Sequence, residues 1–192
     1  MKKLTFEQLK PTIVLAAVTT AVAALLIVTY NLTKDTIAKT AEENTKKSLV
    51  EAMGSDDFEL LDDWSKYNTE KPDEIKTTAV GKDGSAAFEI IVNGYASGGI
   101  DIIIAIDEKG AVKRMNFVAI SETPGLGSKV NDGDFLSKFY GISDEAVIVK
   151  NEPEADGEVQ GITSATYSSK GVANAVNIAL DAYKALKEGG AL

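Results

Sequence analysis

The chain has 192 residues, 44% hydrophobic and 26% charged, which leaves room for one membrane anchor and one modest globular domain and excludes wholesale disorder. It contains no cysteine and no histidine, so cysteine-ligated iron–sulfur clusters, histidine-ligated haem, and Cys–His or Ser–His–Asp nucleophilic sites are excluded for this chain. Of the formal net charge of −9, residues 1–10 carry +2 through Lys2, Lys3, Lys10 and Glu7, leaving −11 for the rest; so acidic a domain repels phosphate backbones and argues against nucleic acid as a partner.

Residues 11–33 carry no charge. An apolar run of about 20 residues spans a hydrocarbon core as a helix, because every backbone amide in lipid must be satisfied internally. The competing reading is a cleaved signal peptide, whose apolar core is shorter and ends on a small-x-small site. The length of the run and the poor cleavage site at Thr29-Tyr30-Asn31 favour a retained, single-pass anchor. Lys2, Lys3 and Lys10 precede it, so the positive-inside tendency places the short end in the cytoplasm and the bulk outside the cell (inner) membrane. The expected division is residues 1–33 for the cytoplasmic end and anchor, 34–54 for a membrane-proximal helix, and 55–192 for an extracytoplasmic domain.

The helical pattern continues over residues 33–53, with Gly54 as its stop. Residues 56–71 are acidic and irregular, pinned to the domain by Trp64 and Tyr67. The period then changes to that of strands, over 75–80, 86–92, 100–106 and 112–120, which form a consecutive antiparallel sheet. The run IDIIIAI at 100–106 is apolar enough to be buried on both faces. Gly94, Gly98 and Gly99 mark a tight path or a close backbone approach. A short helix is expected over 135–140 with Asp134 as its cap, then a short strand over 146–149. The closing helix carries one apolar stripe through Val172, Val176, Ala179, Tyr183 and Leu186, with Ser168 or Ser169 capping its start and Gly189 just past its end. The fold class is therefore α+β, a single N-terminal transmembrane helix followed by an antiparallel-sheet domain with flanking helices.

Two segments stand out from plain connections. In Ser121-Glu122-Thr123-Pro124-Gly125-Leu126-Gly127, proline and two glycines shape a turn, and an apolar Leu126 stands at its tip, suited to pack on a flat ring. The segment Gly161-Ile162-Thr163-Ser164-Ala165-Thr166-Tyr167-Ser168-Ser169 crowds hydroxyls at a helix N-terminus. Such an end holds a phosphate, but ordinary capping explains Ser and Thr there as well. No metal site is read from the sequence.

Together, in this order and behind a single span, the two segments resemble the FMN-binding G subunit of the Rnf electron-transport complex, and are similar in pattern to the C subunit of the sodium-pumping NADH:quinone reductase. The resemblance covers nearly the whole chain. It implies that Thr166 is esterified to the FMN phosphate, matching the final threonine of the family's S/T-G-A-T-x-S/T-S motif, and that the loop Glu122-Thr123-Pro124-Gly125-Leu126-Gly127 lies beside the isoalloxazine. On this reading Thr163, Ser168 and amides from Tyr167 to Ser169 take phosphate oxygens. Leu126 packs the ring, Thr123 and the amides of Gly125 or Gly127 meet its polar edge, and Glu122 either reaches the flavin or holds the loop backbone. The family's usual glycine before Ala-Thr is Ser164 here, and Gln160 stands where the motif often begins with Asp.

The implied role is an electron relay in an ion-translocating ferredoxin:NAD oxidoreductase. The implied partners are iron–sulfur, NAD-site and membrane subunits of the complex, and a flavin transferase for maturation. Two alternatives remain: the C subunit of the quinone reductase, which is generally longer between anchor and flavin motif, and a membrane-tethered binding module without flavin.

Overall fold

A computed structural model describes residues 6–192. Lys2 and Lys3, on which the orientation expectation partly rests, lie outside the described residues. The fold is α+β. Helix α1 runs from Phe6 to Met53. Contacts divide the chain into two compact units, residues 1–43 and 44–192.

The first unit is helical throughout its described part, and its large apolar side chains, from Leu9 to Ile37, are exposed. Among the described residues this is the one helix long and apolar enough to cross a membrane. Thr19, Thr29 and Thr33 fold their hydroxyls back onto carbonyls of the preceding turn (Leu15, Leu25 and Thr29, at 3.0, 2.9 and 2.9 Å), so these polar groups are satisfied within the helix.

The second unit is built on a five-stranded antiparallel sheet in sequence order: β1 (Phe58–Leu60), β2 (Ile75–Gly81), β3 (Ala86–Val92), β4 (Ile100–Ile106) and β5 (Val112–Ile120). The alternation of β4 explains why its sequence is apolar at every position but Asp101. Ile102, Ile104 and Ile106 face a large core with Phe88, Ile90 and Met115, while Ile103 and Ala105 face a smaller one with Ala79 and Ala87. The large core is closed by α3 (Thr166–Glu188), whose Val172, Val176, Ala179, Tyr183 and Leu186 are all buried, as the stripe predicted. The small core is closed by the last turns of α1 through Leu49, Ala52 and Met53, so residues 44–53 belong to the domain. Gly54 then ends the helix in a left-handed conformation, φ 75°.

The expected strands match closely. The differences lie in short elements. The stretch 56–71 is not wholly irregular: β1 adds an edge strand to β2, followed by a 3-10 turn, Trp64–Tyr67. Its residues alternate poorly and two of the three are exposed, which hid the strand. Trp64 is buried in the large core, its ring edge-on to Phe88 at 6.2 Å. The short helix α2 (Gly133–Leu136) is capped by Asp132, which accepts from Asp134 N at 3.0 Å; Asp134 itself is inside the first turn rather than the cap. β6 (Val147–Val149) pairs in parallel with β7 (Glu158–Gln160), a strand too short and polar to read from its pattern. The Asn177 side chain fixes this pair to α3, accepting from Ala146 N at 2.7 Å and donating to its carbonyl at 3.1 Å.

Candidate functional site

The site is assembled where three connections meet: residues 93–99 between β3 and β4, residues 121–128 after β5, and residues 161–166 leading into α3. Thr123 O anchors the middle one, accepting from Leu126 N at 3.1 Å and Ser128 N at 3.2 Å, while Ser128 Oγ accepts from Gly125 N at 2.9 Å. Gly125 sits at φ 75°, which a side chain rarely adopts. The result lifts Leu126 to the surface, about half exposed.

Glu122 points the other way. It is buried, with Oε1 accepting from Ala96 N at 3.0 Å and Oε2 accepting from Tyr95 N at 3.1 Å and from the Ser168 hydroxyl. Burial works to raise this carboxyl, but the hydrogen bonds from Ser168, Ala96 and Tyr95 hold it below its ordinary value. Of the two readings left open by the sequence, the observed contacts of Glu122 are those of a residue holding loop backbone.

The hydroxyl-rich segment separates into two groups. Thr166 is the first residue of α3 and is exposed, as are Thr163, Ser164 and Tyr167. Ser168 and Ser169 are buried and committed: Ser168 donates to Glu122, and Ser169 donates to Ala165 O at 2.9 Å while accepting from Ile162 N at 3.0 Å. Neither caps α3, which corrects the capping expectation; the cap position is Ala165, and no side chain hydrogen-bonds there. The helix starts three to four residues earlier than a Ser168 or Ser169 cap implies, which turns both serines inward. An N-terminus without a side-chain cap leaves first-turn amides available to an anion beside Thr166. Ser164 holds φ 67°, at the position where the family motif has glycine.

Two grooves share this segment. One, of about 310 Å³, is walled by Tyr95, Leu126 and Tyr167 over Gly127 and Ala165. The other, of about 370 Å³, is lined by Thr163 with Lys150, Lys170, Ile148 and Ile162. Ser164 and Thr166 line both, so the Thr166 hydroxyl stands on the rim between an aromatic groove and a cationic one. The sequence-derived residues Glu122, Thr123, Leu126, Gly127, Ser164, Ala165, Thr166, Tyr167 and Ser168 all border the first groove; Gly125 and Ser169 do not, and Thr163 borders the second.

Tyr95, Lys150 and Lys170 are the residues missed. Tyr95 was legible only indirectly, through the glycines around it; the lysines are isolated in sequence and meet only in the fold. The rings of Tyr95 and Tyr167 stand edge-on with centroids 6.5 Å apart. Aromatic walls, an exposed hydroxyl and an uncapped helix start fit a flavin phosphate in chemistry.

Comparison with known proteins places the chain in a family. Residues 94–181 match the model of the FMN-binding domain, and residues 1–51 match the RnfG N-terminal region. The chain is 31% identical over 180 residues to the G subunit of the Na(+)-translocating ferredoxin:NAD(+) oxidoreductase complex of Acetobacterium woodii, covering 90% of this chain and 84% of that one. It is 28% identical over 192 residues to the G subunit of the ion-translocating oxidoreductase complex of Aliivibrio fischeri, covering 93% and 91%. The fold is similar to that of the C subunit of the Na(+)-translocating NADH-quinone reductase from Parabacteroides distasonis, known from a crystal structure, with a TM-score of 0.52 at 17% identity, over 80% of this chain and 94% of that one. Sequence, domain order and fold agree, and the chain belongs to the RnfG family, the G subunits of Rnf-type ion-translocating oxidoreductase complexes.

Proposed function

We propose that this chain is the flavin-bearing electron relay of an Rnf-type ferredoxin:NAD oxidoreductase, with the FMN phosphate esterified to Thr166 Oγ. The observation that carries the reading is the exposed Thr166 hydroxyl at an uncapped helix start, on the rim of a groove walled by Tyr95, Leu126 and Tyr167 within the FMN-binding domain match.

FMN supplies the electron transfer; the protein supplies position and electrostatics. Thr166 fixes the phosphate at the mouth of α3. The first-turn amides, with Thr163 and Ser164 at the rim, receive its oxygens, whereas the Ser168 hydroxyl expected among them is buried and donates to Glu122. Leu126 and the two tyrosines wall the ring, and Thr123 with the amide of Gly127 faces its polar edge. With neither Cys nor His, the chain has no other redox group of its own, so donor and acceptor belong to neighbouring iron–sulfur and NAD-site subunits. A flavin transferase forms the ester: the Thr166 hydroxyl loses its proton and displaces the leaving group of an activated flavin phosphate. The apolar part of α1 is retained as a single-pass anchor in the cell membrane, with the domain of residues 55–192 and its membrane-proximal helix outside the cytoplasm.

Intact mass of the natively expressed chain tests the chemistry: the expected gain is one FMN less one water, on the peptide containing Thr166. Thr166→Ala removes that gain and the yellow fluorescence of the denatured band, while the circular dichroism spectrum is kept. A fluorescent mutant band refutes the assignment. Orientation is tested separately, by protease treatment of right-side-out vesicles, which should digest the domain.

A further inference from the structure

We propose that Glu122 is a positioning residue that clamps the 93–96 loop to the first turn of α3, and so sets Tyr95 against Tyr167 as one wall of the flavin groove. The inference rests on the flavin reading above and extends it to a residue whose oxygens are spent on the chain itself.

Three segments far apart in sequence converge on one carboxylate. The 93–96 loop brings two backbone donors, Tyr95 N and Ala96 N. Helix α3 brings Ser168 Oγ, two residues beyond the acceptor hydroxyl. The loop 121–128 brings Glu122 itself, and its entry is tied to the far end of the 93–99 connection by Ser121 N donating to Gly99 O at 2.8 Å. The surroundings are shaped to that carboxylate. A Cβ on Gly94, Gly99 or Gly127 would stand 2.6 Å from a Glu122 oxygen in each case, so all three backbones approach as only glycine allows. Gly171 repeats the device on the other side, where a Cβ would stand 2.6 Å from Asn93 O. The 93–96 loop is thus wedged between α3 and the Glu122 carboxylate.

The consequence falls on Tyr95. Its ring is three-quarters exposed, so its place rests largely on its backbone amide, which Glu122 holds. The partner ring of Tyr167 is next to Thr166 in the chain and next to Ser168, which Glu122 also holds. One carboxylate therefore fixes both walls relative to the attachment point. It also leaves a fixed negative charge beneath the groove, which disfavours the electron-rich reduced flavin.

The test uses the full-length chain, matured in its native host and purified in detergent. Glu122→Gln offers one carbonyl oxygen where two oxygens served, and turns an NH2 toward a backbone N–H. Expected are an intact covalent band, a lower flavin fluorescence anisotropy, and an upward shift of the flavin midpoint potential. The iodide-quenching constant should rise at least about twofold, since losing a charge-assisted hydrogen bond loosens the loop. Glu122→Asp keeps the charge but is one methylene short, so it should lose anisotropy with little shift in potential. Ser168→Ala keeps both backbone bonds and should lie between wild type and Glu122→Gln in anisotropy. Should Glu122→Gln not fold, Ser168→Ala decides: lowered anisotropy supports the clamp, wild-type anisotropy overturns it. A yellow wild type with mutants indistinguishable in anisotropy, quenching and potential overturns the clamp alone. A colourless wild type overturns the flavin reading, and the clamp with it.

Discussion

Ser164 is held at φ 67°, a left-handed conformation that costs a side chain about 1–2 kcal/mol relative to the right-handed region. Ser164→Gly should stabilise the domain by about 0.5–1 kcal/mol, the relief being partly offset by the greater freedom of glycine in the unfolded chain. Thermal unfolding of the detergent-solubilised protein checks this. Asp101 gives a pH signature. Burial first, and then the neighbouring Glu89 charge, push its carboxyl from 3.8 to about 6, with Lys76 at 3.8 Å opposing them. A carboxyl raised in the folded state binds its proton more tightly there than when unfolded. Its favourable contribution is full below the unfolded value and is lost as pH rises through about 6. Asp101→Asn should therefore raise stability at pH 7.5 by about 1–2 kcal/mol and flatten the profile between pH 4 and 6, read by urea titration at several pH values. Glu122 has the opposite sign: its lowered carboxyl stabilises above the ordinary carboxylate range and lets go as pH falls through its folded value. At this scale the sequence was readable where a residue breaks local preference. Leu126 is an apolar residue at a polar tip, and it does wall the groove. The inward turn of Ser168 and Ser169 was not readable, because a hydroxyl's partner is decided by where the helix begins, within a residue or two.

The elements with strong periodicity announce themselves. Strands 86–92 and 100–106 have turn signals on both sides and largely apolar runs between, 112–120 follows a turn and ends in an apolar stretch, and the structure places all three at those limits. Strands of three residues, β1 and β7, bury too little to leave a pattern. Their pairing is imposed by neighbours, β2 for one and β6 for the other. The glycines at 94, 98 and 99 were legible as a close approach, and two of them border the Glu122 carboxylate, which their spacing could not name. The contact between α3 and this loop yields a prediction. Gly171 lies against Asn93 O and Gly94 Cα, so Gly171→Val must push the helix off the loop. Overpacking of this kind costs about 1–3 kcal/mol, and the thermal midpoint should fall accordingly, together with flavin anisotropy. On the sheet's other face, Glu89 is fully buried and accepts from Lys76 at 2.6 Å, Thr77 at 2.5 Å and Thr45 at 3.0 Å. Glu89→Ala strips these donors of their acceptor and leaves Lys76 only the more distant Asp101. Because Lys76 is half exposed and is rehydrated, the cost is that of the buried hydroxyls left without an acceptor, about 1–3 kcal/mol, read by denaturant unfolding.

At the scale of the molecule, the boundary between the two units falls inside α1, ten residues short of its end. Leu49, Ala52 and Met53 fill the second core, so a chain cut at residue 55 loses that cover, whereas a chain beginning at Asn44 keeps it. The longer version should remain in aqueous solution with an unchanged strand signal in circular dichroism; the shorter one should aggregate through the bared Ala79, Ala87 and Ile103. The groove beside Thr166 is a surface trough with exposed walls rather than an enclosed chamber, and a loose flavin would gain little affinity from it. A chemical leash changes that arithmetic. A ligand fixed to Thr166 meets Leu126 and the tyrosines at an effective concentration on the order of millimolar, so weak contacts suffice to keep it seated. On the proposed attachment the walls would be released from the work of retention, and the ring would keep an open edge toward whichever carrier comes alongside.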